Sequence, residues 1–195
     1  MLAVVGAHPD DAELGAGGIL AAHKGLIISC TNGQNHARDP EIAEKEQERS
    51  AKILGCPYII MGNPEIWTVN HALVSQLDQI FTDMKVTAVL THAPDDSNQE
   101  HYFVSRAVLA ASRRLDDVLY FESTPVARSH FQPQMYFDIT ETKDAKYRAI
   151  NMYKSQVSRL GRNLITTRKA LDRWRGEETG VEYAESFMVE RYRLN

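Results

Sequence analysis

The run Ala7-His8-Pro9-Asp10-Asp11 places an imidazole and two carboxylates within four residues, a combination suited to metal-assisted hydrolysis. A histidine and a carboxylate three residues apart in a turn can grip one divalent cation. The carboxylate between them then stays available as a base. A hydrolytic zinc ion takes three ligands from His, Asp or Glu and keeps one position for water. His8 and Asp11 supply two, and His92 and His101 are the candidates for the third. His101 is the better choice, because the loop 93–100 can carry a side chain in the first turn of a helix back over the end of the first strand. A cation with an open position acidifies its water and polarises a carbonyl, so Asp10 would take a proton from the attacking water and return it to a leaving amine. Pro9 restricts the turn that presents these groups. Zn²⁺ is the expected metal, and Fe²⁺ suits the same donors.

Positioning such a turn requires a buried strand before it. Short apolar runs at 2–6, 26–30, 58–61, 87–91 and 118–122 alternate with helix-like segments, the pattern of βα units feeding a parallel sheet. Asn70 caps a predicted helix with Leu73, Leu77, Ile80, Phe81 and Met84 at helical spacing. Asp39-Pro40 opens a second helix that Leu54-Gly55-Cys56-Pro57 ends, and its polar composition predicts a solvent-facing element. A third helix opens near Asn98 and sets His101 in its first turn. Residues 135–139 and 187–192 read as strands, and 144–158 and 160–174 as helices. Ligands of open α/β sheets bind beyond the carboxyl ends of the strands, where His8, Asn32, Asn63 and His92 all fall. The Gly15-Ala16-Gly17-Gly18 run lacks phosphate-loop spacing, so close helix packing is its expected role.

The chain has 195 residues and a formal charge of −4, which fits one domain over 1–195 with an ordinary core. That charge gives no footprint for nucleic acid or an anionic membrane, so the expected partner is a small molecule. No run reaches membrane-spanning length and no leader pattern is present, which points to the cytoplasm. Cys30 and Cys56, the two cysteines, are too few for a disulfide framework and read as buried thiols.

The segment Ala7-His8-Pro9-Asp10-Asp11-Ala12-Glu13-Leu14-Gly15 resembles the AHPDDxExG signature of the PIG-L/LmbE family of zinc-dependent N-acetyl-sugar deacetylases. Thr31-Asn32-Gly33 with the helix ending Leu54-Gly55 is similar to a second family block. Thr91-His92-Ala93-Pro94-Asp95-Asp96-Ser97-Asn98-Gln99-Glu100-His101 resembles the loop bearing the third ligand. Residues 118–123, Phe137-Asp138-Ile139-Thr140, Tyr153-Lys154-Ser155-Gln156 and Tyr183-Ala184-Glu185-Ser186-Phe187 follow in family order. The resemblance implies a Rossmann-like three-layer α/β sandwich with a mostly parallel sheet, metal ligation by His8, Asp11 and His101, and Asp10 as general base and acid. It implies removal of an acetyl group from an N-acetylated amino sugar or sugar conjugate, and assembly into a homo-oligomer. Two positions depart from it. Asn98 stands where many relatives carry an oxyanion-stabilising histidine, and keeps only a hydrogen-bond donor for that role. Ala43 stands where relatives often carry a sugar-holding arginine.

The alternatives are an amidase acting on another N-acyl or thiol conjugate, and a non-catalytic Rossmann-like sugar- or nucleotide-binding module. Gln34, Asn35, His36 and Arg38 form a polar loop. Arg159, Arg162, Arg168, Arg173 and Arg175 read as a solvated or subunit-facing surface, and His23, His71 and His130 as structural residues.

Overall fold

A computed structural model describes residues 1–34, 39–123, 131–159 and 164–193; Asn35, His36, Arg38, His130, Arg162 and the side chain of Arg159 lie outside the described set. Its elements are β1 (Leu2–Gly6), α1 (Asp11–His23), β2 (Leu26–Thr31), α2 (Pro40–Leu54), β3 (Tyr58–Asn63), α3 (His71–Asp83), β4 (Ala88–His92), α4 (Gln99–Ala111), β5 (Asp117–Phe121), β6 (Met135–Asp138), α5 (Lys143–Ile150), α6 (Lys154–Arg159), α7 (Leu164–Thr179) and β7 (Ala184–Arg191).

All seven strands join one sheet in the order β3-β2-β1-β4-β5-β7-β6. The first five are mutually parallel, and β7 runs antiparallel between β5 and β6. Side chains alternate across such a sheet, and both faces are covered. Ala3, Val5, Leu26, Ile28, Val89 and Val118 pack against α3 and α4. Val4, Ile27, Leu90 and Leu119 pack against α1, α2 and α5 on the other face. The result is the expected three-layer sandwich. The chain winds outward from β1 to β3 on one side and from β4 to β5 on the other, so the order reverses between β1 and β4. Ligands bind in the crevice at such a switch point, and His8 and His92 stand there. No helix of the described residues is long and apolar enough to cross a membrane.

Asn70 and Asp39 cap α3 and α2 through their side chains as the sequence predicts, and Gly55 ends α2 in the left-handed conformation. Helix α2 has the exposed face that its polar composition predicts, with Glu41, Glu44, Lys45, Glu48, Arg49 and Lys52 on it, and its other face is buried although it too carries polar residues. Its Ala43, Glu46, Gln47, Ser50, Ala51 and Leu54 are buried, because three of those polar groups have partners inside. Gln47 and Ser50 donate to Glu13, while Glu46 accepts from the backbone and hydroxyl of Ser155. The expected helix over 144–158 is interrupted at 151–153, where Tyr153 turns inward and donates to Glu13 Oε1 at 2.6 Å. The last strand begins at Ala184, three residues earlier than its apolar run suggests, since Glu185 and Ser186 are buried and hydrogen-bonded.

Helix α1 breaks at Ala16, whose φ of −145° and ψ of 26° are not helical. The break creates new unpaired backbone N–H groups, and Glu185 reaches from β7 to accept those of Gly18 and Ile19 at 2.7 and 2.9 Å. A carboxylate at a helix start is favoured by charge as well as by hydrogen bonding. Ile139 packs so tightly here that a Cβ at Gly18 would lie 2.3 Å from its Cγ2; close packing therefore explains the glycine run. Lys146 Nζ, fully buried, neutralises Glu185 at 2.7 Å and Asp172 at 3.0 Å.

Arg168 and Arg175 correct the expected arginine surface. Arg168 is 2% exposed, held by Asp172 and by the carbonyls of Glu122 and Ser123. Arg175 forms a two-point pair with Glu122 at 2.7 and 2.8 Å. Carboxylates from α7 and the end of β5 draw both guanidinium groups inside, whereas Arg173 stays half exposed beside Glu177. Removing one member of a buried charge group strands the others. Lys146→Met is therefore expected to lower unfolding stability by about 3–5 kcal/mol, while Lys143→Met, at a partly exposed pair, changes it by less than about 1 kcal/mol. Urea denaturation of both variants checks this, and equal losses would contradict the buried network.

Candidate active site

Asp11 is the hub of the crevice. One of its oxygens, Oδ2, accepts the backbone N–H of His8 at 2.7 Å and lies 3.2 Å from His8 Nδ1. The other, Oδ1, lies 3.4 Å from His101 Nε2. Gly6 makes room for this side chain, since a Cβ there would stand 2.6 Å from Asp11 Cβ. His8, Asp11 and His101 each offer a ligand atom within 4.8 Å of the others. The structure thus brings the three expected ligands together from the end of β1, the first turn of α1 and the first turn of α4.

Each histidine of the trio is oriented by a second carboxylate. Glu100 Oε2 lies 2.8 Å from His8 Nε2, so that nitrogen carries the proton and Nδ1 faces Asp11. Asp96 Oδ2 lies 3.0 Å from His101 Nδ1, leaving Nε2 facing Asp11. Carboxylates behind ligating imidazoles fix the tautomer and raise donor basicity. Both carboxylates are anchored: Glu100 Oε1 accepts the N–H of Ile66 at 2.9 Å, and Asp96 Oδ1 accepts that of Asn98 at 2.9 Å. This donor set, two imidazoles presented by carboxylates and one carboxylate between them, fits a divalent cation such as zinc.

Among the described residues, a second trio of His92, Asp96 and His101 also has ligand atoms in reach, but both ring nitrogens of His92 already have partners. Its Nε2 accepts the N–H of Ala7 at 3.0 Å and lies 3.2 Å from Asp11 Oδ2, and its Nδ1 lies 3.1 Å from Ser123 Oγ. The ring stacks on His101 with centroids 3.8 Å apart. It serves as a neutral platform tying the His101 ring to the turn after β1. Burial, followed by the nearby His101, pushes its pKa down to about 4.

The other two histidines behave oppositely. Burial alone would discharge His8, but Asp11 and Glu100 outweigh it and push its pKa up to about 9. Burial likewise opposes charge at His101, and Asp11 with Asp96 pushes it up to about 10. Burial disfavours an ionised Asp11 too, yet His101, His92 and His8 hold its carboxyl well below the usual range. Asp11, Glu100 and Asp96 thus surround the two imidazoles, and a divalent cation would take over the role of their added protons.

Asp10 is the N-cap residue of α1, 9% exposed, with φ 125° and ψ −27°. L side chains rarely adopt that region, at a cost of about 1–3 kcal/mol. Below Asp10 lies a buried polar cluster. Glu13 Oε1 receives Gln47, Ser50 and Tyr153 at 2.6–2.8 Å. The Tyr153 hydroxyl is held well above its usual pKa by burial, by Glu13 and, more weakly, by Asp10.

Asn98 caps α4, its Oδ1 accepting the N–H of Glu100 at 2.9 Å and of His101 at 3.4 Å. Ala43 is fully buried, so the place of the expected arginine is a closed position inside α2. Glu100, Asp96 and the cluster around Glu13 are the functional neighbours that sequence reasoning missed. Asp96 carried a usable signal, a carboxylate in the loop before a ligand histidine. Glu100 carried none, since it reads as an ordinary acidic residue of a first turn and meets His8 across 92 positions.

Residues 3–112 match the family described as GlcNAc-PI de-N-acetylase, PIG-L. A protein of Escherichia coli (strain K12) described as uncharacterized deacetylase YaiS is 34% identical, over 77% of this chain and 89% of that protein. GalB, the 4-carboxy-2-hydroxymuconate hydratase from Pseudomonas putida KT2440, superposes with a TM-score of 0.87 at 19% identity, covering 100% of this chain and 97% of its own. The N,N'-diacetylchitobiose deacetylase from Pyrococcus horikoshii gives 0.81 at 18%, covering 96% and 82%. At these identities the two structures share the fold, which carries a hydratase as well as a deacetylase.

Because His8 and His101 hold protons in the metal-free protein up to about pH 9 and 10, metal must displace them. Zinc uptake at pH 7 is expected to release about two protons and to tighten as pH rises toward those values. Calorimetry in buffers of different ionisation enthalpy reads that number, and uptake without proton release would contradict the assignment. Glu100→Gln and Asp96→Asn should each weaken zinc binding about 10–100-fold.

Proposed function

The chain belongs to the PIG-L family of deacetylases, and on that premise we propose that it removes the acetyl group from an N-acetylated amino sugar or sugar conjugate in a zinc-dependent hydrolysis. The observation that carries this reading is the division of labour between adjacent aspartates. Asp11 is enclosed by imidazoles, whereas Asp10, at an unusual backbone conformation, falls in neither candidate cation group of the described residues. On this reading Asp11 is the ligand and Asp10 carries the proton.

His8 through Nδ1, Asp11 through a carboxylate oxygen and His101 through Nε2 would hold the ion. When bound, zinc supplies a Lewis acid for the amide carbonyl and brings the pKa of water toward neutrality. Asp10 takes one proton from the attacking water as its oxygen bonds to the acetyl carbon. The same proton passes to the nitrogen as the C–N bond breaks, leaving acetate and a free amine. Asn98 can offer its carboxamide N–H to the carbonyl oxygen as negative charge develops there. Because Asn98 Oδ1 is fixed by two backbone donors, that N–H is held in place before substrate arrives. Glu100 and Asp96 keep both imidazoles turned so that their free nitrogens converge. The family description names an N-acetylglucosamine derivative and the Pyrococcus horikoshii enzyme a chitobiose derivative, which supports an amino sugar as the substrate class.

Asp10→Asn is expected to retain stoichiometric zinc and lose about 10²–10⁴-fold in turnover, whereas His101→Ala loses the metal. Metal analysis paired with acetate release from N-acetylglucosamine and N,N'-diacetylchitobiose reads both. Full activity in zinc-loaded Asp10→Asn protein would remove Asp10 from the mechanism.

A further inference from the structure

Large apolar side chains on this protein are mostly buried, yet Trp67 and Tyr102 are 48% and 38% exposed and stand together. With Phe103 they line one hollow of about 370 Å³, whose remaining lining is Asp96, Ser97 and Gln99. We propose that this hollow binds a second pyranose ring of the substrate, beside the ring whose acetamide is cleaved. The inference rests on the deacetylase reading above and adds the length of the substrate to it.

The chemistry of the lining selects a sugar ring. A pyranose has an apolar face of C–H bonds and a rim of hydroxyls. Aromatic rings pack against the first, while a carboxylate, a hydroxyl and a carboxamide satisfy the second. An acyl chain would leave Asp96, Ser97 and Gln99 desolvated without partners, and an anionic group would meet Asp96. The aromatic wall is also held in position. Phe103 meets Tyr102 at 5.4 Å and 76°, and the Arg106 guanidinium lies 5.3 Å from the Tyr102 ring centre.

The hollow is joined to the catalytic centre at two points. Asp96 lines it and also holds His101 Nδ1. Trp67 follows Ile66, whose N–H is fastened to Glu100, the partner of His8. The walls of the hollow are therefore continuous with the residues that orient His8 and His101.

Trp67 and Trp174 are the two tryptophans of the chain. In zinc-loaded Asp10→Asn/Trp174→Phe protein the emission comes from Trp67 alone, and the substituted Trp174 is an exposed residue far from the proposed machinery in sequence. Titration with N,N'-diacetylchitobiose should shift Trp67 emission saturably, with an affinity about tenfold or more above that of N-acetylglucosamine. Tyr102→Ala should weaken disaccharide binding about tenfold, and Tyr102→Phe should restore most of it. An unmoved Trp67 emission, equal affinity for the two sugars, or a response to N-octanoylglucosamine in place of the disaccharide would overturn the proposal. The two readings fail separately. Disaccharide binding at Trp67 without acetate release by the unsubstituted enzyme keeps the subsite and removes the deacetylation, while acetate release at equal kcat/KM from both sugars with Trp67 silent does the reverse.

Discussion

A carboxylate buried as deeply as Asp11 has a desolvation penalty of several kcal/mol unless its surroundings neutralise it. The region around the β1 and β4 ends is built to meet that requirement. His8 and His101 approach Asp11 from two elements, and Glu100 and Asp96 stand behind them to balance the charge those rings carry. Such a cluster is stable with two protons or with one divalent cation in their place. Its location follows from topology: the sheet reverses its winding order between β1 and β4, and ligands bind in the crevice at such a switch point. Gly6 makes room for the Asp11 side chain, and Asp10 takes a positive φ at the start of α1.

The C-terminal part of the chain contributes support. Glu185 on β7 closes the break in α1, Lys146 and Arg168 neutralise the carboxylates gathered beneath it, and Tyr153 joins α1 and α2 through Glu13. The helix that begins with Asp11 is thus held from the far end of the sheet. Buried charge in this second network is mutually compensating, and none of its members belongs to the metal trio. One polar network thus surrounds His8, Asp11 and His101, and the other anchors the helix that carries Asp11.

Much of this was legible in the sequence because the informative signals are local. The apolar run before His8, the caps at Asn70 and Asp39 and the left-handed Gly55 each reflect chemistry within a few residues, and their positions agree with the structure. That His8, Asp11 and His101 come together was legible because two of them share one turn and the third lies in the first turn of a helix. What escaped were pairings across long separations. Glu100 looks like a helix-dipole residue until His8 is placed beside it. Arg168 and Arg175 look solvated until Asp172 and Glu122 are seen. Gln47 and Ser50 of α2 look exposed until Glu13 supplies a buried acceptor. Composition and periodicity report whether a side chain is polar, and partners decide whether it is inside.

The central claim is that one cation sits on His8, Asp11 and His101, with His92 excluded because its Nε2 is occupied by Ala7. Crystals of the zinc-loaded protein, measured at the zinc absorption edge, locate the ion by its anomalous signal. The account predicts a single peak at about 2.0–2.2 Å from His8 Nδ1, an Asp11 oxygen and His101 Nε2, with the Ala7 to His92 hydrogen bond intact. A peak coordinated by His92, Asp96 and His101 would contradict it.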